Sequence, residues 1–144
     1  MTGENDGGCA CGAVRFVAIG APLRAGLCHC RTCQKAHAAP CYPFAVFPIS
    51  KVHLRGPVRS WSSSPGYDRR FCAMCGSRVA GVLAEEIELS LVQFDQSDLI
   101  EPQYESWAGK RARWMQALDL PQYDQNREAP DLCVLRPALS DPAR

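Results

Sequence analysis

The sequence predicts a mainly β protein with few short helices. Short segments rich in β-branched and aromatic residues recur along the chain, proline and glycine separate them, and few segments show helical spacing of apolar residues. Many short strands between turn signals are typical of a domain built from sheets. The chain has 144 residues, so we expect one domain over residues 1–127, followed by a proline-rich tail over residues 128–144.

Each predicted element is bounded by a turn signal. The polar start, residues 1–6, is expected to be a loose leader. A helical turn is expected over residues 34–39, and Pro40 ends it. One short helix is expected over residues 106–118. The predicted strands are residues 13–19, 23–27, 44–47, 52–55, 58–61, 78–83 and 87–92.

Charge and hydropathy argue against several functional classes. The formal net charge is +1 with no basic block, which disfavours nucleic acid as a partner. No run of eighteen apolar residues and no signal peptide is seen, so we expect a soluble cytoplasmic protein without a membrane partner. In that compartment cysteines stay reduced. The nine cysteines, an odd number with short spacings, therefore indicate metal binding rather than disulfides.

Two glycine-flanked cysteine pairs predict a closed metal site. Each pair can hold one side of a tetrahedral metal, and four thiolates leave no open position, which is typical of structural zinc. The metal would join the start of the domain to its middle. The four predicted ligands are Cys9, Cys11, Cys72 and Cys75.

A second cluster, Cys28, Cys30 and Cys33, is one thiol short of a closed site. Catalytic zinc sites keep one position open for water or substrate, which would suit three protein ligands. Alternatively, Cys41 supplies a fourth thiolate and closes a second structural site. Spacing alone leaves both arrangements open. Cys133 lies in the tail and is expected to be a lone thiol.

Three cysteine motifs follow one another along the chain. They are Gly8-Cys9-x-Cys11-Gly12-x-Val14, Cys28-His29-Cys30-x-x-Cys33 and Arg70-Phe71-Cys72-x-x-Cys75-Gly76-Ser77. Together these motifs resemble the glutathione-dependent formaldehyde-activating enzyme family, whose domain also occurs in centromere protein V. Further matching residues lie around Pro102, Trp107, Trp114 and Tyr123, and the likeness covers roughly residues 7–125.

The resemblance implies a β-tent of twisted antiparallel sheets and two zinc ions. It implies structural zinc on the two glycine-flanked pairs and catalytic zinc on Cys28, Cys30 and Cys33, with Cys41 outside the ligand pattern. The implied activity is that of a carbon–sulfur lyase that condenses formaldehyde with glutathione to S-(hydroxymethyl)glutathione, and the reverse. Guanidinium groups pair with carboxylates in a bidentate manner, so the candidates for binding glutathione are Arg31, Arg69 and Arg70.

The sequence is also compatible with two other functions. The chain could be a non-catalytic zinc-stabilised binding domain, or a lyase that acts on a different thiol adduct. The expected partner is a small-molecule thiol such as glutathione, and a homodimer is among the alternatives for the oligomeric state. A zinc site with three thiolates can lose metal or oxidise, so partial occupancy is expected at the second site.

Overall fold

The structure is a computed structural model that describes residues 3–96 and 98–127. Within these residues the chain forms ten strands and one α-helix, which confirms the predicted mainly β fold. No helix in this part of the chain has the length and apolar character needed to cross a membrane. The elements are β1 (Glu4–Gly8), β2 (Arg15–Ile19), β3 (Arg24–Cys28), α1 (Arg31–His37), β4 (Tyr42–Pro48), β5 (Val52–Arg55), β6 (Val58–Ser64), β7 (Tyr67–Cys72), β8 (Arg78–Leu83), β9 (Glu86–Ser90) and β10 (Glu105–Ser106).

The chain divides into two compact units. The prediction of one domain over residues 1–127 stays a prediction, and the predicted tail with Cys133 lies outside the described residues. Of the described residues, the first unit comprises 3–24 and the segment Phe44–Glu101, and the second comprises Ala25–Pro43 and residues 102–127.

Two antiparallel sheets form the first unit. One has the strand order β1-β2-β5, and in the other, β4, β9, β8, β7 and β6 pair in that order. Three aromatic rings form the centre of its core. The ring centroid of Phe94 lies 5.1 Å from that of Phe16 and 6.3 Å from that of Phe47, and all three side chains are buried. These contacts join strands from both sheets, because Phe16 belongs to β2 and Phe47 to β4.

The strand β1 begins at Glu4, so the prediction of a loose leader over residues 1–6 is wrong for residues 4–6, and residues 1–2 lie outside the described part of the chain. β1 pairs with β2 from Glu4 opposite Ile19 to Gly8 opposite Arg15. The apolar residues of β2 supply the buried face, and β1 contributes mainly backbone hydrogen bonds, which composition does not reveal. Gly7 is opposite Phe16, and a Cβ at this glycine would overlap the Phe16 ring.

We expect Gly7→Ala to destabilise the protein by about 1–3 kcal/mol, the usual cost of overpacking a core. The matched control is Gly3→Ala, because a Cβ at Gly3 would meet no heavy atom within 4 Å. Denaturant unfolding of both variants measures the difference. Equal unfolding free energies for the two variants would contradict the proposed clash with the Phe16 ring.

A polar row crosses β7, β8 and β9 in the first unit. Arg69 is opposite Gly81, and Gly81 is opposite Glu88. The Tyr67 hydroxyl covers Gly81, which has no side chain, and donates a hydrogen bond to Glu88 Oε2 at 2.5 Å. Burial raises the pKa of Glu88 despite this hydrogen bond. Glu86 lies two residues before Glu88 on β9, and its pKa shifts in the opposite direction. Arg24 donates hydrogen bonds to both of its carboxylate oxygens and lowers the pKa of Glu86.

These opposite pKa shifts predict opposite pH dependences for two matched variants. A carboxyl whose folded-state pKa is raised costs stability as pH rises above its unfolded pKa, and the cost is complete above the folded pKa. Glu88→Gln should therefore gain stability relative to wild type as pH rises from about 4 to 8. Glu86 contributes stability above its unfolded pKa and loses it as pH falls through its lowered folded pKa. Glu86→Gln should therefore lose stability relative to wild type as pH rises from about 2 to 5, and the difference should stay constant at higher pH.

Melting temperatures of both variants and of wild type from about pH 2 to 8 test this pair of predictions. The difference between variant and wild type is the relevant quantity, because cysteine titration then largely cancels. A Glu88→Gln difference that stays constant with pH would contradict the raised pKa.

The second unit contains β3, α1 and β10. β10 pairs in parallel with β3, so that Glu105 lies opposite Leu27 and Ser106 lies opposite Cys28. α1 begins at Arg31, earlier than the predicted helical turn over residues 34–39, because the Cys30 side chain caps its first turn. The helix ends at His37 where the next residue adopts a left-handed conformation.

The predicted helix over residues 106–118 is wrong. Only a single 3-10 turn, Ala108–Lys110, forms there, and Trp107 before it has a φ of 54° that a helix interior does not allow. The preceding backbone pairs with a distant segment instead, because the Glu105 amide donates to the Pro121 carbonyl at 2.9 Å. Long-range pairing therefore overrides the local helical pattern.

Candidate metal centres

Four cysteine sulfur atoms of the first unit converge within 4.8 Å of one another. They belong to Cys9, Cys11, Cys72 and Cys75. The first pair lies in the turn between β1 and β2, and the second pair lies at the end of β7 and in the turn that follows. Gly12 and Gly76 have φ values of 80° and 78°, so glycine allows each turn to fold back behind its cysteines.

Backbone amides and a hydroxyl point at these sulfur atoms. The amide of Val14 donates to Cys9 Sγ at 3.2 Å, and the amide of Met74 donates to Cys72 Sγ at 3.4 Å. Hydrogen bonds from the Ser77 hydroxyl and amide lower the pKa of Cys75 to about 5. Such donors stabilise thiolate sulfur, the form that binds metal.

The thiols also oppose one another's ionisation. The Ala13 amide lowers the pKa of Cys11, but the neighbouring thiols, Cys9 first among them, outweigh it and raise that pKa to about 11. Four thiols this close do not all ionise without a nearby cation. A divalent metal would supply the missing charge, and four sulfur donors fit zinc in tetrahedral geometry.

The second cluster lies where β3 leads into α1. The sulfur atoms of Cys28, Cys30 and Cys33 lie within 4.8 Å of one another. Cys30 is the N-cap of α1, and its Sγ accepts a hydrogen bond from the Cys33 amide at 3.2 Å. The two neighbouring thiols, and then burial, raise the pKa of Cys28 well above its usual value. Like the first cluster, this donor set fits a metal ion that would compensate the clustered negative charge.

Cys41 is not part of this sulfur cluster. It lies in the second unit and is half-buried, but its sulfur does not join the three that lie within 4.8 Å of one another. Burial, followed by the charge of Glu105, raises the pKa of Cys41. The described residues thus bring together three thiols at this position, rather than the four of the alternative arrangement.

A buried carboxylate supports the loop that carries the second cluster. The Glu105 and His29 side chains are fully buried, and Glu105 Oε1 lies 2.7 Å from His29 Nε2. The other oxygen, Oε2, accepts hydrogen bonds from Arg111, from Gln122 and from the Leu118 amide, at 3.2, 2.5 and 3.0 Å. Despite burial, the hydrogen bonds from Gln122 and His29 lower the pKa of Glu105. No sequence motif had singled out Glu105, because its partner is 76 positions away.

None of the three histidines belongs to either cysteine cluster. The His29 ring is hydrogen-bonded to Glu105, although the residue lies between two clustered cysteines. The His37 ring stacks on Tyr42 with a centroid distance of 3.9 Å, and His53 is exposed on β5.

A family model described as glutathione-dependent formaldehyde-activating enzyme matches residues 4–110. The chain belongs to this family. The matched range contains both cysteine clusters, and the resemblance seen in the motifs is confirmed.

Two further proteins are similar to this family member. A Schizosaccharomyces pombe protein named an uncharacterized lyase is 31% identical over 74 residues, which are 51% of this chain and 54% of that protein. The chain therefore spans about half the length of the curated relative that it matches. The crystal structure of a Rhodobacter sphaeroides protein matches with a TM-score of 0.54 and 20% identity over 67% of this chain and 96% of that chain, and supports the fold alone.

The three arginines predicted to bind glutathione lie in different places. Arg31 is exposed, follows the second cluster directly and donates to the Gln34 side chain. Arg69 is buried, its Nε donates to Ser63 Oγ at 2.7 Å, and its guanidinium lies 4.8 Å from the Tyr67 ring centroid. Arg70 is half-buried on the same strand. Only Arg31 shares a unit with Cys28, Cys30 and Cys33, and all three assignments stay predictions.

Cys72→Ser is expected to lower the melting temperature and solubility and to remove about one metal ion per chain. Structural zinc contributes on the order of 10 kcal/mol to small zinc domains, so the loss of one fully buried ligand should affect folding. The matched control is Cys41→Ser, a cysteine outside both clusters, which should keep the metal content of wild type. Metal analysis and thermal unfolding measure both effects. A fully stable Cys72→Ser chain with unchanged metal content would contradict a structural role.

Proposed function

We propose that this chain is a zinc-dependent carbon–sulfur lyase that joins formaldehyde to glutathione and cleaves the same adduct. The observation that carries the proposal is the set of three converging thiols without Cys41. Membership of the formaldehyde-activating family and the lyase name of the yeast relative support the same class of reaction.

The two clusters would have different roles. The four-cysteine cluster would hold a structural zinc, because four protein sulfurs complete a tetrahedral site. Cys28, Cys30 and Cys33 would hold a second zinc with one position left for a substrate sulfur. Zinc bound there would keep an incoming thiol deprotonated and in place.

The chain's own residues would position the substrate. Cys28 and Cys33 are buried, whereas Cys30 is partly exposed, so the second cluster is accessible from the side of Cys30. Arg31, the next residue, is exposed and is the candidate to pair with a glutathione carboxylate. These positions would orient the tripeptide relative to the clustered thiols.

The proposed reaction balances without an added oxidant or reductant. The thiol sulfur forms a bond to the carbonyl carbon of formaldehyde, and the carbonyl oxygen takes up the proton that the thiol gives up. The product is S-(hydroxymethyl)glutathione. In reverse, the carbon–sulfur bond breaks and the hydroxyl proton returns to sulfur. Solvent can carry this proton, and no side chain is assigned to that step.

Exchange kinetics of formaldehyde with glutathione, followed by NMR with and without protein, test the proposal. We expect the wild-type chain to accelerate exchange above the uncatalysed rate. Cys30→Ser should lose this acceleration while it retains the metal of the four-cysteine cluster.

Cys41→Ser is the matched control and should exchange at the wild-type rate. Undiminished acceleration in Cys30→Ser would eliminate the second cluster as the reaction site. Absence of acceleration in a wild-type chain that holds two metal ions would instead favour a zinc-stabilised binding domain.

A further inference from the structure

His29 is held at three points, although it lies between two candidate metal ligands. Its ring is bound by Glu105, its amide donates to the Ser106 carbonyl at 3.0 Å, and its carbonyl accepts from the Gln34 side chain at 2.9 Å. The Gln34 side chain also donates to the Lys110 carbonyl at 3.0 Å. The backbone on either side of His29 therefore has little freedom to rotate.

The Glu105 carboxylate is the centre of this arrangement. Removing an ionised carboxylate from water is costly unless hydrogen bonds replace its hydration. Here one oxygen is used by His29, and the other accepts from Arg111, Gln122 and the Leu118 amide. The segment from residue 105 to residue 122 is thereby fixed to the ring between Cys28 and Cys30.

From these contacts we infer that Glu105 is a positioning residue for the Cys28–Cys30–Cys33 metal site. Its carboxylate makes no hydrogen bond to the three sulfurs and acts through His29, whose fixed ring sets the backbone that carries Cys28 and Cys30. This inference rests on the proposed second metal. Groups that orient metal ligands in this way commonly contribute 10–100-fold to metal affinity.

The substitution Glu105→Gln separates positioning from packing. Glutamine has the same shape, but it is neutral and has one acceptor oxygen. That oxygen cannot accept from His29 on one side and from Arg111, Gln122 and the Leu118 amide on the other. Either one side detaches, or His29 carries its proton on Nδ1 and accepts at Nε2 from the glutamine amide. In each case the stronger hydrogen bond between an ionised carboxylate and the ring is lost.

The test uses the full zinc-loaded chain and a chromophoric chelator. Glu105→Gln should release the second zinc about 10–100-fold more readily than wild type and retain the four-cysteine zinc. Cys30→Ser, which lacks the second site, assigns the two release phases. Co²⁺ exchanged into the second site should show an altered sulfur-to-cobalt absorption band in Glu105→Gln.

Two further variants complete the test. Glu86→Gln makes the same change at another carboxylate that pairs with an arginine, and this residue lies in the first unit. It should release both zinc ions as slowly as the wild-type chain. Gln122→Ala removes one donor and leaves the His29 contact, so it should weaken the second site less than Glu105→Gln does.

Wild-type affinity and an unchanged Co²⁺ spectrum in Glu105→Gln would overturn the inference and leave the proposed function standing. Equal loss of both zinc ions in Glu105→Gln and Gln122→Ala would also overturn it, because it would indicate a general folding defect. A wild-type chain that binds only the four-cysteine zinc would overturn the proposed function together with the inference.

Discussion

The mutual repulsion of clustered thiolates is the physical constraint on which this structure depends. Seven cysteine sulfurs are gathered into two groups, each within 4.8 Å, and ionisation of one thiol disfavours ionisation of the next. In the first unit, backbone amides that donate to sulfur and the Ser77 hydroxyl stabilise the thiolates against this repulsion. The first group joins the turn after β1 to the turn after β7, so a cation there would link the two sheets of that unit.

The sequence predicted the features that local spacing determines. Closely spaced cysteines indicated both clusters, and segments rich in β-branched and aromatic residues between turn signals indicated most strands, including β8 at its observed bounds. Features that depend on distant pairing were missed. β1 is a strand because β2 lies beside it, and Trp107 leaves helical geometry as the chain around Glu105 pairs with the residues near Pro121.

Two glutamates, Glu88 and Glu105, show why a residue's role could not be inferred from its type. Glu88 has the Tyr67 hydroxyl as its hydrogen-bond donor, and burial prevails, so its pKa is raised. Glu105 has four donors, one of them the Arg111 guanidinium, and its pKa is lowered although its side chain is fully buried. The number and charge of the donors decide whether a buried carboxyl ionises. Those donors come from positions that only the fold brings together.

The difference between the two clusters is best explained by what surrounds each one. The four-cysteine cluster has sulfurs from two turns that are far apart in sequence, so its geometry is set by the sheets that carry them. The second cluster uses six consecutive residues, and a short segment cannot easily surround a metal by itself. A metal held by these three sulfurs would therefore keep one tetrahedral position for another ligand. The inferred support from Glu105 acts through His29 and would leave all three sulfurs available for a metal.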